Sequence, residues 1–296
     1  MLLSMSTAPI TNATAAAELF ERSAEMLFAQ RPGRQAAVRI GAAGRLLATG
    51  DLHDNPEHLA KLVRVAKLDD GANHHLVLHE MIHSERLVNG VDLSHRMLAR
   101  AADLVIRYPT QVHVLLANHE LAQLTGRGVS KGAGNSVELF HAGLEFAFGD
   151  DAETVHEAIQ SFIRAMPVAL VSDSGVLCAH SLPGAHAAEK FDIDMLDRPL
   201  TDADYDPASG SASLMVWGRE LTRAWVDQLA STWNVRLFCL GHQHVDTGAE
   251  SPMPGVVILN SDHDHGACLP IDLAHVPSTE EAIMYAIPLR ALPDSP

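Results

Sequence analysis

This sequence is short of cysteine, of positive charge and of long apolar runs, and each shortage excludes something. Cysteine occurs three times in 296 residues. Cys178, Cys239 and Cys268 lie far apart in apolar stretches, which excludes a disulfide framework and fits buried thiols in a reducing cytosol. A cytoplasmic location is therefore expected. The 21 basic residues face 37 acidic ones, a net charge of −16. Such a chain repels polyanions at long range, so broad nucleic-acid binding is disfavoured. A phosphorylated substrate stays open, because bound metal ions reverse the field locally. No apolar run approaches the ~18 residues a membrane span needs, so no membrane association is expected. The first twelve residues lack the basic-then-apolar pattern of a signal peptide, and no internal repeat is evident. What remains, at 47% hydrophobic and 20% charged, is ordinary globular composition. The unusual abundance is histidine, with 18 copies.

The order of elements reads as an α/β fold. Residues 14–30 predict an amphipathic helix, capped by Thr14, with Ala16, Leu19, Phe20, Ser23 and Leu27 on one face. Arg31-Pro32-Gly33 ends it. Residues 1–34 are thus expected to form a helical arm for packing or oligomerisation, and 35–296 a single domain. Strands are predicted at 46–49, 76–78 and 112–117, with helices at about 56–67 and 92–107 between them. This β-α-β-α-β order implies parallel strands joined by right-handed crossovers. Helices at 136–148 and 152–164 follow. The second half predicts a hairpin over 168–171 and 175–179, a helix at 220–231, and strands at 235–240, 256–260, 267–273 and 282–289. Two packed mixed sheets flanked by helices, a four-layer α/β/β/α sandwich, account for this pattern. The acidic segment 184–213 reads as an irregular insertion, either a solvated loop or a lid beside the site.

Chemistry-bearing residues gather where predicted strands end, the place where open α/β sheets put their sites. After 46–49 come Asp51 and His53. After 76–78 come His79, Glu80 and His83. Asn118 and His119, then Glu120, follow 112–117. His180 follows 175–179, and Gly241-His242-Gln243-His244 follows 235–240. Each cluster alone is weak evidence; five in succession, all rich in oxygen and imidazole donors, are not.

This order, Asp-x-His, Glu, Asn-His-Glu, His and Gly-His-x-His over about residues 45–275, resembles the calcineurin-like metallophosphoesterases. The stretch from Asn118 to His180 is most similar to their bacterial serine/threonine-phosphatase-like branch. The resemblance implies a two-metal hydrolase of phosphate esters, in which a metal-bridging hydroxide attacks phosphorus. It implies one metal on Asp51, His53 and His244, a second on Asn118, His180 and His242, and Glu80 bridging them. His119 would protonate the leaving group. The substrate class implied is a phosphoprotein or a small phosphoester. The chemistry suits these residue types: paired divalent ions clamp both ends of an in-line displacement. Imidazoles mixed with oxygen donors suit Mn, Fe or Zn.

The second motif departs from the family's Gly-Asp-x-x-Asp. Glu80 is longer than aspartate by one methylene, and His83 replaces a carboxylate that supports the catalytic histidine. His83 or His79 is then a candidate extra ligand or support. This departure motivates a second hypothesis, a weak or inactive metal-binding scaffold. His79-Glu80-x-x-His83 also spells the zinc-peptidase signature, but that chemistry needs a helix, and a strand is predicted here. Arg219 is a candidate for holding substrate phosphate; Arg127 and Lys131 are weaker ones. Asp262, His263, Asp264 and His265 read as a solvated turn, and Trp217 and Trp225 as core.

Overall fold

Alternation along the strands decides the architecture. In the computed structural model, which describes residues 12–83, 85–128, 130–131 and 134–294, consecutive strand residues serve two different cores. In strand β2 (Arg45–Thr49), Leu46 and Ala48 join one cluster and Leu47 the other. In β3 (His74–His79), Val77 separates from Leu76 and Leu78 in the same way. Successive side chains point to opposite faces of a sheet, so strands apolar on both sides must be covered on both.

The other strands are β1 (Ala37–Ile40), β4 (Val112–Leu115), the short pair β5 (Ser130–Lys131) and β6 (Gly134–Asn135), β7 (Ala169–Ser172), β8 (Val176–Ala179), β9 (Leu237–Leu240), β10 (Ala249–Met253), β11 (Val256–Leu259), β12 (Ala267–Asp272) and β13 (Ile287–Pro288). One sheet has the order β13-β12-β2-β3-β4 and another β1-β7-β8-β9-β11-β10. The β2-β3-β4 pairs are parallel, as the β-α-β-α-β order predicts, and β7-β8 is the expected antiparallel hairpin. Leu46, Val77, Val176, Cys178, Cys239 and Val257 fill the space between the two sheets. All three cysteines are buried and free.

Helices cover the outer faces: α1 (Ala13–Ala29), α2 (Pro56–Ala66), α3 (His95–Arg107), α4 (Asn118–Thr125), α5 (Ser136–Phe148), α6 (Ala152–Ala165), α7 (Ser211–Trp217), α8 (Arg223–Trp233) and α9 (Thr279–Tyr285). The α/β/β/α sandwich is thus the observed fold. Helix α1 lays Phe20 against Phe162 of α6, with ring centroids 5.7 Å apart. Just beyond it, Gln30 donates to the Val112 carbonyl at 3.0 Å and Arg31 to that of Ala165. The helix therefore shares the core of the main body. Residues 1–11 of the expected arm lie outside the described residues.

Several boundaries differ from prediction, each for a local reason. Asn12, not Thr14, caps α1, accepting from the Ala15 N–H at 2.9 Å. Helix α3 starts at His95 because Asp92 accepts from the Ser94 N–H at 2.8 Å and holds the preceding turn. The strand at 112–117 stops at Leu115, and α4 begins immediately on the site residues. The strand predicted at 282–289 is instead α9 followed by the two-residue β13. A capping box decides this, with Ser278 N–H to Glu281 at 2.8 Å and Glu281 N–H to Ser278 at 3.2 Å. Strands β1, β5, β6 and β10 and helices α4 and α7 have no counterpart in the predicted order. The segment 184–213 is a packed element rather than a solvated loop. Arg198 donates to Asp192 and to both Asp204 oxygens at 2.7–2.8 Å, and Met195 and Leu196 are buried.

Candidate metal centre

Five strand ends deliver the site. Asp51 lies two residues past β2, Glu80 one past β3, and Asn118 and His119 open α4 after β4. His180 follows β8 and His242 lies two past β9. The chain turns sharply at these points: φ is positive at His53 (38°), Glu80 (50°), His83 (61°) and His242 (66°). Such backbone costs roughly 1–3 kcal/mol per residue and persists where surrounding structure over-determines it. Gly241 answers a different need. A Cβ there would run into the Asp51 carboxylate and the His79 ring.

Glu80 stands at the middle. Its Oε1 lies 3.4 Å from His119 Nε2 and 3.7 Å from His53 Nε2. Its Oε2 lies 3.3 Å from His180 Nε2. That same nitrogen is 2.6 Å from Asn118 Oδ1 and 3.1 Å from His242 Nδ1. On its other side, His180 Nδ1 is 3.4 Å from Asp51 Oδ1 and 3.2 Å from His79 Nδ1. Asp51 also accepts the His242 N–H on both oxygens at 3.0 Å. Among the described residues, the triads with ligand atoms close enough for one ion are Asp51-His79-His180, His53-Glu80-His119 and Glu80-His180-His242, together with a fourth on α5 and α6.

The electrostatics suit a cation. Burial opposes the Asp51 charge, but His180 and His79 outweigh it and hold the carboxyl well below its usual range. Burial lowers His180 to about 4. Burial, with repulsion from His180 and Arg219, lowers His242 to about 3. Both imidazoles are therefore neutral near pH 7 and keep a lone pair each. Around His180 Nε2 converge an Asn118 oxygen, a Glu80 oxygen and the His242 Nδ1, a mixed nitrogen and oxygen set. A divalent ion with mixed nitrogen and oxygen ligands fits this donor set. Behind it, Glu120 is pushed up to about 7 by burial, against hydrogen bonds from the Met81 and Ile82 main chain. Its Oε1 accepts the Met81 N–H at 2.7 Å, which ties α4 to the turn carrying Glu80.

Not every predicted residue arrives. His244 is 70% exposed at the side chain and sits 3.0 Å from Asp246. The left-handed turn at His242 sends that ring inward, and the next residues run out along the surface. His79 and His83 both arrive, in different roles. His79 faces Asp51 and His180. The His83 ring lies 5.1 Å from the His119 ring and its Nε2 is 3.2 Å from Gln123 Oε1. These two histidines point apart from a strand end, not from one helical face, which removes the geometry of a zinc peptidase. Arg219 is exposed, yet its charge reaches His242. Trp217 is 39% exposed, with its ring edge-on to His242 at 6.0 Å, so it belongs to the rim and not the core. Trp225 is buried. The Lys131 side chain and Ser84 lie outside the described residues.

Other residues were missed by sequence reasoning. Asn260 accepts the Val245 N–H at 2.5 Å and donates to Gln243 at 3.1 Å, bracing the His242 loop. Ser261 accepts the Gly50 N–H at 2.9 Å, and its own N–H donates to the Asp51 carbonyl at 3.0 Å. They follow β11 directly, which ends at Leu259 and not at residue 260 as predicted, so the corrected strand end is the signal that marks them. The neighbouring His263 reaches the Val245 carbonyl at 3.1 Å instead of the centre.

A family profile described as calcineurin-like phosphoesterase matches residues 44–246. No curated protein sequence matches the chain. Among solved structures, a protein serine/threonine phosphatase from Saccharomyces cerevisiae superposes with a TM-score of 0.60 at 12% identity, over 88% of this chain and 82% of that one. A cold-active protein-tyrosine phosphatase from a psychrophilic Shewanella species superposes with a TM-score of 0.58 at 15% identity, over 86% and 81%. Identities this low speak for the fold alone.

Proposed function

The chain belongs to the calcineurin-like phosphoesterases and is a metal-dependent phosphoesterase, and we propose that Glu80 bridges two divalent transition-metal ions at its centre. Asp51 and His53 would hold one ion in this reading, and Asn118, His180 and His242 the other. The observation that carries it is the division of the Glu80 carboxylate, with Oε1 toward His53 and His119 and Oε2 toward His180. Glu80 projects from a left-handed backbone position, with φ 50°. Bound there, such ions supply positive charge against the phosphoryl oxygens and lower the pKa of the attacking water. Mn, Fe and Zn all suit the donors.

His119 donates the proton that the leaving oxygen needs. The His83 ring stands beside it as a support, itself oriented by Gln123. Arg219 and Trp217 at the rim hold the phosphate and the group that carries it. The Ser181 hydroxyl donates to the Gly218 carbonyl, which fixes that rim to the strand end bearing His180. The phosphatase neighbours act on proteins by name, and an open rim suits a phosphorylated side chain on a polypeptide.

The test is hydrolysis of an aryl phosphate and a phosphopeptide panel with added Mn. Asp51→Asn and His242→Ala should each lower kcat by more than the ~10–100-fold that orienting partners of a metal site cost. Turnover unchanged in both variants would sink the reading. One feature favours a weakly active scaffold instead: His83 offers no negative charge to stabilise a protonated His119. That reading predicts bound metal without turnover on any substrate of the panel.

A further inference from the structure

Helices α5 and α6 form a hairpin that carries a second cluster of metal-ligating side chains, outside the centre described above. His141 and Glu145 stand one turn apart on α5, with His141 Nε2 3.4 Å from Glu145 Oε1. Glu153 and His156 stand three residues apart on α6, with His156 Nδ1 3.7 Å from Glu153 Oε1. Both spacings place side chains on one helical face, and the two faces meet. The His141 and His156 rings are 5.3 Å apart and edge-on. One donor atom from each of His141, Glu153 and His156 lies within 4.8 Å of the others, and small rotations would place each of them ~2.0–2.2 Å from a shared zinc ion. A cleft of about 340 Å³ opens over His141, Glu145 and His156, so a cation has access.

The inner side of this cluster reaches the active centre. His156 Nε2 lies 3.4 Å from Gln123 Nε2 and 3.2 Å from Gln160 Nε2, so it accepts from both amides. Gln123, buried on α4, holds His83 Nε2 with its oxygen at 3.2 Å. An imidazole has two ring nitrogens. An ion on His156 Nε2 takes the lone pair that Gln123 uses. An ion on Nδ1 moves the ring proton to Nε2, which then meets two amide donors. Either way the Gln123–His156 hydrogen bond is lost.

We propose that His141, Glu153 and His156 form a second, zinc-class cation site whose occupancy is transmitted through Gln123 to His83. Glu145 is placed to complete the ligand set. The binding half is independent of the phosphoesterase chemistry.

The experiment is equilibrium dialysis of the full chain against zinc, beside the double variant His141→Ala/Glu153→Gln. Both replaced side chains are solvent-exposed, at 38% and 67%, and circular dichroism checks folding. His141→Gln alone provides a milder second variant. Wild type should bind one equivalent more than either variant at the same free zinc. Equal stoichiometry in all three would overturn the site. The Gln123 side-chain amide signal in ¹H–¹⁵N spectra should shift with that last equivalent in wild type only. An extra equivalent that leaves the signal in place would overturn the transmission to His83.

Discussion

His79 does for His180 what a carboxylate or main-chain carbonyl commonly does for a metal-binding imidazole. Its Nε2 donates to the Thr49 carbonyl at 2.9 Å, which leaves a lone pair on Nδ1. That nitrogen lies 3.2 Å from His180 Nδ1, which Asp51 Oδ1 also approaches at 3.4 Å, so His79 and Asp51 together orient the outer side of His180 while its Nε2 faces the centre. His79→Ala should weaken metal binding by about 10–100-fold, measured by competition with a chelator. His79→Asn, which keeps an acceptor near the same place, should recover part of the loss. Unchanged affinity in His79→Ala would remove His79 from this role. The sequence marks His79 as a strand-end histidine with an open role. Which way each of its nitrogens points depends on Thr49 and His180, residues 30 and 101 positions away, and no local pattern carries that. His244 is the converse case. Its spacing from His242 is that of a ligand pair, and a single backbone rotation at His242 parts them.

At the scale of elements, α3 carries a buried imidazole with no polar company. His95 packs against Phe140 and Phe148, and neither ring nitrogen has a hydrogen-bond partner among the described residues. Burial, with repulsion from Arg96, lowers its pKa to about 4. The folded ring stays neutral while the unfolded chain takes up a proton below about pH 6.5. The group therefore favours unfolding progressively as pH falls from about 6.5 to about 4, and not above that window. His95→Met should match wild type or exceed it in stability at pH 7. The gap should widen by on the order of 2–3 kcal/mol by pH 4, read from urea unfolding at both pH values. A constant gap would show that His95 is protonated in the fold. Helices α5 and α6 make a second prediction, which rests on the phosphoesterase reading. Zinc added to the active enzyme should lower kcat by about 5-fold or more, the lower end of typical coupling free energies. It should do so in wild type and not in His141→Ala/Glu153→Gln, which shares the same active centre. Equal inhibition of both would place the zinc effect elsewhere. Helices α5 and α6 were legible to within a residue. The 282–289 segment was not, because its apolar residues fit either period and the Ser278–Glu281 cap decides between them.

The whole molecule carries a net charge of −16, and its substrate is anionic. Approach is therefore opposed by the average field and favoured near the metal centre and Arg219. For a phosphopeptide with acidic flanks, kcat/KM should rise as salt goes from about 20 mM to about 200 mM, because the Debye length shrinks below the size of the protein. A peptide with basic flanks should show the opposite slope. Parallel slopes for the two would mean that charge plays no part in capture. The charge and the absence of a membrane-spanning helix among the described residues belong to this scale, and composition reports both without a structure.

The sandwich, the parallel β2-β3-β4 unit and the strand ends where chemistry gathers are all legible along the chain. Those follow from hydrophobic periodicity and from polar residues placed after short apolar runs, both of which are local. Which of those residues meet is a matter of three-dimensional packing. The two Glu80 oxygens divide between partners from β2, α4 and β8, His79 turns to His180, and Asn260 and Ser261 brace the loops from behind. It also brought His141 to His156 across two helices. Distances between strand ends depend on sheet order and on single left-handed residues, and those are set by packing between the layers, which no stretch of sequence contains alone.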